Sequence, residues 1–384
     1  MPFEFSTASR IVFGSGAAGE VASAAAHMGH RVLLVTGERA QRAASLARAL
    51  AAAGLTAAPL PISGEPAIGT IAAGSVYARG EACDMVIALG GGSAIDAGKA
   101  LAAMLTNPGE PLDYLEVVGR GQPLRAPSAP FIAVPTTAGT GSEVTRNAVL
   151  AAPARGVKAS LRSPFLLPRM AVVDPELTLD LPPALTASTG LDALTQLIEP
   201  YVSVRANPMT DLYAVEGLRT AASALPRAWE NGGDREARCG MCWASLLGGL
   251  SLANAGLGAV HGFAAPVGGM FPAPHGAVCA ALLAPSIEIN VKALRQRAPL
   301  HPALARYDEV ARLLTGRPQA AAQDGIEWVA TLCRRFEIPP LSAYGVQPAH
   351  IPVLVSRAAE ASSMKGNSIQ LTSEELEEML SLAI

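Results

Sequence analysis

Between residues 10 and 90 the chain repeats one rhythm that leaves it few folds to choose from. Short apolar runs, RIVFG (10–14), RVLLVTG (31–37), LTAAPLPI (55–62) and DMVIALG (84–90), alternate with alanine-rich amphipathic stretches at 17–29, 38–53 and 66–80. Apolar runs of this length, bounded by turn residues, read as strands and the stretches between them as helices. Strand and helix in regular succession specify a parallel sheet covered on both faces. A ligand of such a sheet sits at the carboxyl ends of its strands. At 384 residues the chain is longer than one hydrophobic core serves, so a second domain is expected.

The rhythm stops at Asp174-Pro175 and the run LDLPPALTAS (179–188). Paired prolines, then hydroxyl residues, then sustained helical periodicity mark a domain boundary near residue 184. Beyond it strands become scarce, and the chain stays alanine- and leucine-rich to its end. The expected organisation is an α/β domain with nucleotide-binding loops over 1–184 and an all-α, metal-binding domain over 185–384. Turn signals fall at NGGD (231–234), EIPPLSAYG (337–345) and KGNSIQLTSEEL (365–376). In the last, Thr372 or Ser373 followed by Glu374 or Glu375 reads as the start of a final helix.

Two loops of the first domain carry binding chemistry. Gly90, Gly91, Gly92 and Ser93 follow the strand DMVIAL directly and lead into the helical AIDAGKALAAML. Glycines admit a pyrophosphate close to the backbone, Ser93 can cap the helix, and the helix N-terminus supplies free N–H groups. The plain alternative is a glycine turn with no ligand. The strand FIAVP (131–135) runs into Thr136, Thr137, Ala138, Gly139, Thr140, Gly141 and Ser142. Four hydroxyls and two glycines suit the adenosine and diphosphate side of a dinucleotide, and an ordinary turn has the same composition.

In the second domain three segments stand out: LDALTQLIEPYVS (191–203), HGFAAPVGGMF (261–271) and PHG (274–276). Asp192 and Gln196 are four apart in a helical segment and share a face. His261 and His275 are fourteen apart with glycines and prolines between, which requires a helix end and a turn to bring them together. One carboxylate and two imidazoles form the usual donor set of a catalytic divalent site. Against this, a lone helical Asp is commonly a solvated or capping residue, and histidines in an apolar chain are commonly core residues.

Composition narrows the partners. Half the residues are hydrophobic, 16% are charged, and the net charge is −3. No stretch concentrates Lys or Arg, which argues against nucleic acid or an anionic membrane surface. The N-terminus lacks the basic-then-apolar pattern of a secretory signal. The apolar stretch 241–263 is interrupted by Asn254, His261 and five glycines, as in a buried helix rather than a membrane span. Five cysteines do not form a disulfide framework, and a cytoplasmic protein is expected. The Cys239/Cys242 pair reads as core packing in a helix.

Four segments in this order, IALGGGSAIDAGKA (87–100), AVPTTAGTGSEVTRNAV (133–149), VVDPELTLDLPPALTASTGLDALT (172–195) and LGAVHGFAAPVGGMFPAPHG (257–276), together resemble the iron-containing (group III) alcohol dehydrogenase family. The likeness runs from FGSG near residue 13 to about residue 290. It implies a dehydroquinate synthase-like fold and an NAD- or NADP-dependent enzyme that interconverts small alcohols and aldehydes. It further implies a divalent metal, Fe2+ or Zn2+, held by Asp192, His261 and His275 and facing the nucleotide across a cleft between the domains. By the same resemblance the glycine turn binds the pyrophosphate, Asp96 lies near the nicotinamide, and Thr136, Thr137, Thr140, Thr145, Asn147 and Lys158 contact the cofactor. For Lys158 an exposed edge-strand lysine is the plain alternative. Family members that favour NAD often carry aspartate where Gly37 stands. Gly37 and Arg39 allow NADP, while Glu38 pulls the other way. The family precedent is a homodimer or larger.

Two positions depart from the family pattern. Gln196 replaces a histidine ligand; its amide oxygen either ligates as a neutral donor or holds a metal-bound water, leaving three protein ligands. Ala265 stands where many members have another histidine near the reacting carbonyl, so no residue is assigned to proton relay. Three other readings share this plan. They are a maleylacetate reductase, a carbon–oxygen lyase of the dehydroquinate synthase type, and a redox-sensing NAD(P)-binding protein with a degraded metal site. The lyase needs several cations for a phosphorylated substrate, and few lie near these motifs, chiefly Arg146 and Lys158.

Overall fold

A computed structural model describes residues 2–37 and 40–384, and the chain divides into two compact units. One unit spans Ser6–Thr137 and Gly141–Thr178; the other comprises Leu179–Ile384 with residues 2–5 and Ala138–Thr140. The hydroxyl-rich loop is thus divided, with Thr136 and Thr137 in the first unit and Thr140 in the second.

The first unit begins with β1 (Ile11–Phe13), α1 (Val21–Ala25), β2 (Arg31–Thr36), α2 (Ala40–Ala52) and β3 (Thr56–Pro61). It continues with α3 (Ile68–Gly80), β4 (Met85–Gly90), α4 (Gly92–Thr106) and α5 (Pro111–Tyr114). The strands β5 (Phe131–Pro135), β6 (Asn147–Ala152), β7 (Val157–Arg162) and β8 (Met170–Val173) complete it. Six strands form one parallel sheet in the order β1-β8-β5-β4-β2-β3. Strand alternation sends Leu33, Val35, Val86 and Ala88 into the core on one face and Val32, Leu34, Met85 and Ile87 into the core on the other. Burial on both faces is why these strands read as unbroken apolar runs.

The sheet's connectivity marks one crevice. From β2 the chain steps outward to β3, then crosses back to place β4 on the other side of β2. The path reverses between β2 and β4, and their carboxyl ends form the switch point where open α/β sheets take their ligands. Gly37 follows β2 and Gly90 ends β4; a Cβ on Gly90 would lie 2.6 Å from the Ala94 Cβ and 3.2 Å from the Gly37 nitrogen. Only glycine lets these two strand ends and the following helix approach so closely.

Several sequence expectations need correction. Segment 17–29 is shorter than one helix: a 3-10 turn, Ala17–Glu20, leads into the five-residue α1. Ser93 does not cap α4; Gly91 holds the cap position in extended conformation, and Ser93 lies inside the first turn. Lys158 is not an exposed edge lysine. It lies on β7, paired only with β6 in a separate antiparallel hairpin, and its side chain is 7% exposed and joined to Glu65 at 2.5 Å. Glu38 and Arg39, the residues weighed for NADP preference, lie outside the described residues.

Among the described residues no strand follows β8. The second unit consists of α6 (Pro183–Val202), α7 (Pro208–Glu230), α8 (Arg235–Ala255), α9 (Ala259–Met270) and α10 (His275–Arg297). It ends with α11 (Ala303–Thr315), α12 (Ala322–Arg335), α13 (Ile351–Glu360) and α14 (Ser373–Ser381). Thr372 and Glu375 form the capping box that opens α14. By length and composition α10 could cross a membrane, yet 72% of its most apolar window is buried among its neighbours, as in a core helix. Cys239 and Cys242 lie on α8 and are not joined in a disulfide.

Candidate functional site

Helix α6 is the floor of the site. Asp192, Gln196 and Glu199 stand at i, i+4 and i+7 and share one face, and all three are buried, at 1%, 2% and 5% exposure. Charged and amide side chains are seldom buried this deeply without partners. Glu199 has them, but Asp192 Oδ1 and Gln196 Oε1 accept no hydrogen bond. An unpaired buried carboxylate oxygen costs several kcal/mol unless a cation meets it, on the order of the penalty for a buried ion.

His261 reaches this floor from the first turn of α9. That turn's free N–H groups are answered from far along the chain: Ala259 N donates to Asn367 Oδ1 at 3.1 Å, and Val260 N to Glu199 Oε1 at 2.7 Å. A carboxylate at a helix N-terminus also complements the helix dipole. The other Glu199 oxygen, Oε2, accepts from His261 Nδ1 at 2.7 Å. With the proton drawn to Nδ1, the lone pair of Nε2 points away from Glu199, the arrangement that orients a metal-ligating imidazole.

His275 is the first residue of α10, and Cys279 follows one turn later on the same face. Gly276 sets the approach of this helix to α6, because a Cβ there would lie 2.7 Å from the Ser188 carbonyl oxygen. Asn367 also donates to Asn290 Oδ1 in the second half of α10, tying that part of α10 and the start of α9 to one side chain.

The four donors converge. His261 Nε2 and His275 Nε2 stand 3.4 and 3.7 Å from Asp192 Oδ1. Cys279 Sγ stands 3.8 Å from His261 Nε2 and 3.6 Å from His275 Nε2. One ligand atom from each of the four residues lies within 4.8 Å of all the others. Burial alone would strip the proton from His261, but Cys279, Asp192 and Glu199 outweigh it and hold its pKa well above the usual imidazole value. Burial likewise works against charge on His275, and Cys279 and Asp192 raise its pKa in turn. Burial pushes the Asp192 carboxyl up, and the two imidazoles and the Cys279 thiol more than reverse that. The same acceptors that draw protons onto the imidazoles will draw a divalent cation, and its orphaned oxygen makes Asp192 an apt ligand.

Sequence reasoning named Asp192, His261, His275 and Gln196 and missed Cys279 and Glu199. The available signals were spacings: Cys279 four residues after His275, and Glu199 seven after Asp192.

The first unit presents its own polar surface. Gly37, Gly90, Gly91 and Thr137 stand at the ends of β2, β4 and β5, with a Cβ on Gly91 only 3.4 Å from the Thr137 side chain. Thr136 N donates to the Gly90 carbonyl, closing the β5 end onto β4. Gly92 and Ser93 open α4 directly after the carboxyl end of β4. Asp96 is engaged by protein groups: Oδ1 accepts from Ser142 Oγ at 2.5 Å and lies 3.5 Å from Lys99 Nζ, and Oδ2 accepts from Val149 N. Lys99, fully buried, also donates to Ser142 Oγ, Thr145 Oγ1 and the Asn147 carbonyl at 2.7–2.8 Å. Burial lowers its pKa, and Asp96 and Glu143 oppose that shift. Asp96 and Lys99 therefore bracket the loop that carries Thr145 and Asn147.

A parallel sheet with a phosphate-type turn at its switch point, followed by helices gathering a carboxylate and two imidazoles, defines a metal-dependent, nicotinamide-linked oxidoreductase. The chain belongs to the iron-containing alcohol dehydrogenase family: that family's model matches residues 8–175, and the model of the family's C-terminal part matches residues 186–384. It is 38% identical over 320 residues to alcohol dehydrogenase 4 of Schizosaccharomyces pombe, covering 83% of this chain and 73% of that one. It is 35% identical over 304 residues to choline dehydrogenase of Bacillus subtilis, covering 79% and 74%. The crystal structure of a 1,3-propanediol oxidoreductase superposes with a TM-score of 0.92 at 31% identity over the whole of both chains. The protein is thus an enzyme that transfers a hydride between NAD(P)H and a small aldehyde or alcohol with the aid of a bound metal.

Proposed function

We propose that Asp192 Oδ1, His261 Nε2 and His275 Nε2 hold the catalytic divalent cation, and that the ends of β2, β4 and β5 hold the nucleotide. The observation that carries this reading is the buried, unpartnered Asp192 Oδ1 with two imidazole nitrogens within 3.7 Å of it. A divalent cation supplies Lewis-acid polarisation of a substrate oxygen, and the nicotinamide carries the hydride.

The chain's own residues orient and hold. Glu199 fixes the His261 tautomer, and Gly276 lets α10 bring His275 against α6. In the first unit Gly37, Gly90, Gly91, Gly92 and Ser93 leave room for a pyrophosphate, and Thr136 and Thr137 offer hydroxyl donors beside it. Thr140 belongs to the same loop sequence, and Lys158 lies beyond the hairpin turn. Asp96 acts on the cofactor through the loop it holds, keeping Thr145 and Asn147 in place. Without an aspartate at Gly37 nothing at that position repels a 2′-phosphate, so NADP is accepted as well as NAD.

Most of the residues that α6, α9 and α10 bury are apolar, which favours small aliphatic substrates. Five cysteines outside any disulfide support a reducing, cytoplasmic setting. A homodimer or larger assembly is proposed on the family precedent alone.

Metal analysis of freshly purified protein, paired with an aldehyde panel under NADH and NADPH, tests the whole. Asp192→Ala and His275→Ala should each abolish turnover and most bound metal while cofactor affinity stays within a few-fold. Near-normal turnover in either variant refutes the metal assignment.

A further inference from the structure

We propose that Cys279 is a direct ligand of the metal in this protein, filling the coordination position that Gln196 leaves, and that the resulting carboxylate, imidazole and thiolate set selects zinc over iron. The proposal rests on the metal-site reading above and adds to it the fourth donor and the identity of the cation.

The geometry can be checked against what a cation needs. For tetrahedral zinc, with Zn–N and Zn–O near about 2.05 Å and Zn–S near about 2.3 Å, the N···O edges are about 3.35 Å and the S···N edges about 3.6 Å. The structure has N···O edges of 3.4 and 3.7 Å and S···N edges of 3.8 and 3.6 Å. Two of the six edges match a tetrahedron with Cys279 at one corner, two exceed it by about 0.2 and 0.35 Å, and the remaining two are within 4.8 Å.

Placement agrees with distance. Cys279 is fully buried and one helical turn from His275, so its sulfur and the His275 ring project from the same face of α10. A buried cysteine alone is commonly a small hydrophobe. Here its sulfur meets two imidazole nitrogens, and beyond them an Asp192 oxygen that accepts no hydrogen bond. That oxygen is an independent sign that the four groups surround a cation.

Gln196 explains the need. A neutral amide oxygen is a poor substitute for an imidazole. Its Oε1, also buried, has no hydrogen-bond partner, and it remains an acceptor for a water or substrate hydroxyl. A thiolate from Cys279, beside the two imidazoles, supplies a strong fourth donor, and its softness moves the preference from iron towards zinc. Zinc tolerates expansion to five donors, so a filled tetrahedron leaves room for chemistry.

The test uses the full-length protein stripped of metal and reloaded with Co2+ or Zn2+. Wild-type protein with Co2+ should show a near-ultraviolet thiolate-to-cobalt charge-transfer band, absent from Cys279→Ser and Cys279→Ala. Chelator competition should show zinc bound about 100-fold more weakly by Cys279→Ala. The double variant Gln196→His/Cys279→Ala should recover zinc affinity without recovering the band, which shows that the single variant is folded and lacks only a donor. If Co2+ binds in an Asp192-dependent way but gives no thiolate band, and Cys279→Ala keeps wild-type zinc affinity, the Cys279 proposal falls and the three-ligand reading stands. If neither ion binds wild-type protein, or binding survives Asp192→Ala, both fall.

Discussion

Replacing Glu199 by glutamine is the most discriminating change to the metal centre that leaves its ligands untouched. Glu199 receives two buried hydrogen bonds of 2.7 Å, from His261 Nδ1 and from Val260 N. Glutamine has nearly the same shape but only one accepting oxygen, so one of the two N–H groups must face an amide NH2. Hydrogen bonds to a charged group contribute about 1.5–3 kcal/mol, and an unsatisfied buried donor costs about 1–3 kcal/mol. If the lost contact is that of His261, the imidazole is free to turn or change tautomer, and Nε2 is no longer held towards Asp192. Loss of such a supporting carboxylate weakens metal binding by about 10–100-fold, equivalent to about 1.4–2.7 kcal/mol. Zinc competition against a chelator measures that affinity, and urea unfolding in excess chelator measures the cost to the fold alone. Excess zinc should then restore most of the turnover. Zinc affinity equal to wild type in Glu199→Gln would refute the claim that Glu199 orients His261.

Two further changes probe each unit separately. Glu143 is 3% exposed, and burial pushes its carboxyl from 4.5 up to about 7, with its own backbone N–H and Lys99 opposing. Because the folded protein holds this proton more tightly than the unfolded chain, wild type loses stability as pH rises from 4.5 through 7. Glu143→Gln should therefore match wild type near pH 4.5 and exceed it by on the order of 3 kcal/mol at pH 8; a gap that does not widen across this range in denaturant titrations rules the burial cause out. Gly276→Ala places a methyl against the Ser188 carbonyl, where both partners are backbone. It should cost about 1–3 kcal/mol of stability and lower zinc affinity by displacing His275, and wild-type zinc affinity in this variant would show that α10 starts from a more forgiving position.

The sheet was legible because its signal is local. A strand buried on both faces needs consecutive apolar residues, and VLLV, MVIAL and FIAV supply them with glycine or proline at the exit. The hairpin β6–β7 was harder to see, since its burial alternates and its sequence, NAVLAA then VKASLR, has no tight-turn dipeptide. At the metal centre Asp192, His261 and His275 stood out as the few residues of ligating type in an apolar setting. Cys279 did not, because one cysteine among alanines and leucines carries no mark until the fold sets it beside two imidazoles. Glu199 and Asn367 were equally silent: each acts on α9 from another part of the chain, and no window of neighbouring residues contains both ends of that contact. Ser93 misled because serine is a favoured cap, whereas here the glycine before it takes the cap position.

The Asn367 contact with Ala259 has a bearing on how the enzyme is made. Every donor atom has been synthesised once residue 279 is added, yet the side chain that pins the start of α9 comes 88 residues later (367 − 279). At about 5–20 residues per second that gap lasts roughly 4–18 s. During it the nascent chain carries histidines and a thiol that can meet a metal without the frame that arranges them. Correct loading therefore waits for residue 367, and a truncation just short of it should leave ligands in full number but no pocket to choose among ions.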